Sequence, residues 1–62
     1  MTNQATRTQI VLLANTFGWG VNFRGGSDAH LATVSARDGN GFVTIVSGRL
    51  AKVLGYMELV AA

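Results

Sequence analysis

No cysteine and no proline occur in this chain of 62 residues, and only 13% of them are charged. Without cysteine there is no disulfide and no thiolate metal site, and a single histidine cannot hold a structural zinc by itself. The two staples that small domains usually add are thereby excluded, and oligomerisation is the one that remains. Long hydrophobic runs are missing too. The longest, Ile10–Ala14, falls far short of the roughly 20 residues that span a bilayer, and the first residues lack the basic, apolar, small-residue order of a secretory signal. The expectation is a cytoplasmic protein with no membrane partner.

What the chain does have is apolar surface. Hydrophobic residues make up 48% of it and its mean hydropathy is +0.31. A chain this short is expected to form one domain over residues 1–62, with residues 1–5 frayed, and buries only about 60% of the surface its unfolded form exposes. It therefore carries more apolar surface than one small core consumes, which predicts a homodimer or a hydrophobic protein partner. The net charge of +2 permits an anionic partner but is far from a polybasic signal.

Thr6-Arg7-Thr8-Gln9 fits a capping box, and Ile10, Leu13, Ala14 and Phe17 follow at helical spacing, with Gly18 placed to end the helix in a left-handed conformation. From Trp19 the period becomes two: Trp19, Val21 and Phe23 share one face of a short strand. Gly25-Gly26-Ser27-Asp28 reads as a loop, and a second strand begins at His30 or Leu31. The second and third strands form a hairpin, since Asp38-Gly39 and Asn40-Gly41 both suit a type I′ turn. An even-numbered loop places Ala32, Val34 and Ala36 on one face with Val43 and Ile45, the expected core face, and puts Leu31, Thr33, Ser35, Phe42 and Thr44 on the reverse. Ser47 suits the cap of a last helix whose apolar stripe is Leu50, Val53, Leu54 and Met57. Gly55, which costs that helix about 1 kcal/mol against alanine, would mark a close helix crossing. The predicted fold is α+β, a two-layer αβββα domain whose three-stranded antiparallel sheet carries both helices on one face.

On the last helix Arg49, Lys52 and Tyr56 fall on one exposed side. Two cations next to a helix N-terminus are a plausible phosphate-binding edge, although any amphipathic helix keeps such residues on its wet side. Arg24 and His30 flank the glycine-rich loop, either at that edge or at the far end of the sheet. The order of elements, Ser47, Arg49, Ala51 and Lys52 at the last helix, and Gly26-Ser27-Asp28-Ala29-His30 in the loop together resemble the double-stranded-RNA-binding domain. That resemblance implies phosphate contacts from Arg49 and Lys52, a minor-groove contact from His30, and a polar contact from the first helix, for which Gln9 is the candidate. In style the chain is also similar to small uncharacterised proteins of actinobacterial phages, which implies a regulatory or host-directed binding role in the host cytoplasm.

Aromatics could stack on bases, but Trp19 and Phe23 are expected in the core or a dimer interface. Phe42, with Leu31 as its neighbour on the outer sheet face, and Tyr56 are the candidate intermolecular contacts. Ser27, Asp28 and His30 supply the residue types of a hydrolase triad, yet one glycine-rich loop does not bring them into triad geometry. Asp38 and Glu58 form no acid and base pair, and no metal-ligand spacing, cofactor motif or small-molecule site is evident. The chain is therefore expected to be a non-enzymatic binding module without a cofactor. Protein–protein interaction is the first reading; binding of a double-stranded RNA or DNA backbone through Arg49, Lys52, His30 and Arg24 is the alternative.

Overall fold

The structure is a computed structural model that describes residues 3–62. Helix α1 (Asn3–Phe17), strands β1 (Gly20–Phe23), β2 (Leu31–Asp38) and β3 (Gly41–Arg49), and helix α2 (Leu50–Ala61) follow in that order. The strands form one antiparallel sheet, ordered β1-β2-β3, with β2 in the middle. Ile10 and Ala14 from α1, Ala32 and Val34 from β2, and Leu50, Val53, Leu54 and Met57 from α2 make the buried core. Both helices thus lie on the sheet face that Ala32 and Val34 share, as the hydrophobic pattern predicts.

Local chemistry sets the boundaries. Gly18, at φ +75°, ends α1, and the Trp19 and Gly18 amides donate to the carbonyls of Ala14 at 2.8 Å and Asn15 at 3.2 Å. This is the paired-bond helix stop that only glycine adopts without strain. It also turns Trp19 back onto Phe17, with ring centroids 4.6 Å apart. At its other end α1 begins earlier than the capping-box reading predicts. Asn3–Ala5 are helical; Met1 and Thr2 lie outside the described residues. Thr6 is a buried position on the core stripe, and the Thr8 hydroxyl donates to the Gln4 carbonyl one turn back at 3.0 Å.

The hairpin turns on Gly39-Asn40, between the two dipeptides that suit a type I′ turn. Asp38 pairs with Gly41, Gly39 has φ +62° and no non-glycine residue among those described has a positive φ, so the turn has the glycine-first II′ pattern. Ala36 then pairs with Val43 and Ser35 with Thr44, but beyond that the register slips and Val34 faces Val46. Ile45 is the extra residue of a β-bulge. The expected trio of Val34, Val43 and Ile45 is therefore not a single core layer: Val34 is fully buried, Ile45 and Val46 are half-buried against the core, and Val43 stays 46% exposed. Ser47 caps nothing. β3 runs on through Arg49, which is the N-cap residue of α2 and makes no side-chain cap bond, while the Ser47 hydroxyl lies 3.1 Å from that of Thr33 across the sheet. Gly55 is exposed, and a Cβ there would meet nothing within 4 Å, so it marks no helix crossing.

Candidate binding surfaces

Strand pairing decides where the predicted cations meet. The Arg24 amide donates to the Leu31 carbonyl at 3.3 Å, continuing the β1–β2 ladder by one residue, and Leu31 pairs with Arg49. Arg24, Leu31 and Arg49 thus form one row across the end of the sheet, at register positions on its outer face. His30 precedes that row, and its carbonyl accepts the Leu50 amide at 3.0 Å, fastening the loop to the first residue of α2. Lys52 folds back over Gly48, where an added Cβ would stand 3.2 Å from its Cδ and 3.6 Å from its Nζ. Gly48 belongs to the next row, opposite Ala32, so Lys52 occupies the helix side of the same sheet end. The four residues converge on one end, with Arg24 and Arg49 on the outer side and Lys52 on the inner. Arg24, His30, Arg49 and Lys52 are all exposed.

Gln9 does not join them. With Leu12, Leu13, Glu58, Ala61 and Ala62 it lines a cleft of about 430 Å³ between α1 and the C-terminal end of α2, away from the α2 N-terminus. Ser27 and Asp28 sit in a short 3-10 turn, Gly26–Asp28, exposed like His30. No cluster of metal-ligating side chains is present among the described residues.

One cation serves the fold. Arg7 reaches from α1 to the loop between β1 and β2, where its Nη2 donates to the Ala29 carbonyl at 2.6 Å and the Arg24 carbonyl at 3.4 Å. Its guanidinium carbon lies 5.4 Å from the centroid of the Phe23 ring. Arg7 therefore holds the segment that carries Arg24 and His30. The capping-box reading passes over it, although Arg7 stands three residues before Ile10 and seven before Ala14, on the buried stripe, where a cation needs partners.

The predicted interaction residues separate. Phe42 is 70% exposed and pairs with Arg37 beside the turn, whereas Leu31 pairs with Arg49 at the far end of β2 and is half-buried. Six residue steps along β2, about 20 Å, separate them, so they are not neighbours. Tyr56, 40% exposed, belongs to the helix layer. What does surround Phe42 is backbone: Gly41, Phe42, Val43 and Thr44 are all exposed, so successive side chains, which point to opposite faces, are uncovered on both. Elsewhere the outer sheet face is mostly amide and hydroxyl, with Asn22, Thr33, Ser35, Thr44 and Ser47 across its three strands.

No helix among the described residues is long and apolar enough to cross a membrane. No protein-family model matches the chain, and no curated protein or solved structure does so either.

Proposed function

We propose that this chain is a non-enzymatic binding module that works through protein–protein contact at the projecting half of its β2–β3 hairpin. The observation carrying this reading is the two-sided exposure of Gly41–Thr44, with a large aromatic, Phe42, 70% exposed. Apolar side chains on both faces of an edge strand suit a protein partner, which removes them from water while pairing the free backbone. The test places a photo-crosslinking residue at position 42 of the full chain in the cell that makes it, with position 15, exposed on α1, as control. Protein adducts at 42, to any chain including its own, with none at 15 are expected; no adducts at 42 would refute the reading.

A second reading has its own support. The convergence of Arg24, His30, Arg49 and Lys52 at one sheet end suits a phosphate backbone, which is the function that the resemblance to double-stranded-RNA-binding domains implies. Binding to duplex RNA or DNA should then weaken steeply with added salt and vanish in Arg49→Glu, Lys52→Glu. No association at low salt removes this reading.

A further inference from the structure

We infer that the hairpin's partner is a second copy of this chain, joined antiparallel through the β3 edge so that two three-stranded sheets become one of six strands. The inference rests on the protein-contact reading above and names its occupant. In the order β1-β2-β3, no strand among the described residues pairs with the outer edge of β3, which runs along nine residues, Gly41–Arg49. The bulge at Ile45 and the positive φ of Gly48 (+145°) bend its far half, as edge-protecting irregularities do. The straight part is Gly41–Thr44. A pair closing a two-residue loop exchanges both hydrogen bonds, and bonded and non-bonded pairs then alternate. Asp38 with Gly41 is such a pair and Ala36 with Val43 is the next, so the amide groups of Phe42 and Thr44 face away from β2.

Those two residues are complementary to each other in an antiparallel copy. With Val43 on the two-fold axis, Phe42 pairs with Thr44 of the partner subunit and Thr44 with the partner's Phe42, which satisfies every outward group of the straight segment. A shift of the axis to Phe42 or Thr44 would leave one of the two without its match. Charge does not oppose the union, because residues 41–48 are uncharged and antiparallel symmetry holds the cationic sheet ends at opposite extremes.

The helix layer continues the same edge. α2 packs on β2 and β3, α1 on β1, and Glu58 and Ala61 face the cleft toward α1. Taking buried Met57 as the centre of the packed side, Tyr56 and Val60 fall on the opposite flank, the one beside the β3 edge. Both are about two-fifths exposed. Val43, Tyr56 and Val60 thus border one margin of the molecule. A strand pair confined to the four residues Gly41–Thr44 and one helix flank bury less than the ~800 Å² per partner of a standard interface, so association should be weak, with a dissociation constant in the micromolar range or above.

A chain without cysteine makes the test clean. Val43→Cys places one thiol at the axis, where opposed Cβ atoms stand close enough for a disulfide; Ser35→Cys, on the central strand, is the control. Thr44→Pro removes an amide that β2 does not use and so spares the chain's own ladder. Expected are a covalent dimer of Val43→Cys on mild oxidation with none from Ser35→Cys, and concentration-dependent sedimentation of the unmodified chain that Thr44→Pro abolishes while its circular dichroism is retained. Should Thr44→Pro unfold, the cysteine pair decides alone. A monomer at every concentration with no Val43→Cys dimer overturns the self-pairing, and adducts to a different protein at position 42 would then leave the protein-contact reading standing. Dimers that form without linking Val43→Cys also overturn it.

Discussion

Replacing Arg7 with methionine tests whether one side chain holds the loop that positions Arg24 and His30. Arg7→Met keeps an apolar stem and deletes the guanidinium that bonds the Ala29 and Arg24 carbonyls and lies over Phe23. A hydrogen bond from a charged donor contributes about 1.5–3 kcal/mol, here at full value only for the 2.6 Å contact, and a cation over an aromatic ring adds roughly 0.5–1 kcal/mol. Against this stands the buried Nε of the same side chain, which has no partner and whose desolvation penalty the mutation relieves. The net loss is about 1.5 kcal/mol, and in a domain of this size each kcal/mol lowers Tm by roughly 4–8 °C, giving a drop of about 6–12 °C. Thermal unfolding followed by far-ultraviolet circular dichroism and by Trp19 fluorescence, at one fixed protein concentration because association would shift Tm, measures it. Arg7→Lys should lose most of the same stability, since a compact ammonium lacks the planar fork that bonds a carbonyl and stacks on a ring together. A methionine variant melting within about 2 °C of the parent, against the shift expected per kcal/mol, would refute the claim that Arg7 anchors the loop.

Two glycines should respond with opposite signs. Gly55→Ala places a methyl in open space on an exposed helix position and should stabilise by up to about 1 kcal/mol, read as a higher urea midpoint with unchanged slope. Gly48→Ala forces a side chain onto φ +145° and within 3.2 Å of Lys52 Cδ, and should destabilise by at least about 1 kcal/mol. Met57→Ala empties a fully buried site at a cost of about 2–5 kcal/mol. That rivals the whole stability of a 62-residue domain, about 3–9 kcal/mol, so calorimetry should show a much reduced or absent unfolding transition.

Periodicity made the architecture legible. The α1 stripe, the glycine stop at Gly18, the alternation of Trp19, Val21 and Phe23, and the α2 stripe are each local patterns, and local patterns survive into the fold because each buries one face. Long-range consequences were not legible. Nothing in Gly41–Gly48 signals that Ile45 will be extra, because the slip is a property of the pairing with β2, where the register changes between Val34 and Ser35. Ser47 has the chemistry of a helix cap, but its hydroxyl meets Thr33 once β3 extends to Arg49. Whether Arg24 and His30 share an end with Arg49 turned on strand pairing alone. Arg7 did carry a signal, its place on the buried stripe, that a capping pattern in the same four residues obscured.

The exposed hairpin tip is a consequence of chain lengths more than of side-chain choice. α2 follows β3 without a loop, Arg49 being both the last strand residue and the helix N-cap, so the helix must fold back over the sheet from that end. Twelve helical residues advance about 18 Å, whereas nine residues of strand advance about 30 Å. The helix stops some 12 Å short of the turn. β1 cannot help, because its four residues pair only with Ala32–Ser35. Among the described residues, the hairpin beyond Ser35 is therefore left without a helix over it or a strand beside β3. The opposite end, where loop, strand row and helix start are fastened by the His30 and Leu50 bond, holds Arg24, Arg49 and Lys52 instead. One end of the sheet is open-edged and exposes Phe42 and Val43, the other gathers Arg24, Arg49 and Lys52, so the two proposed modes of binding draw on surfaces that do not compete.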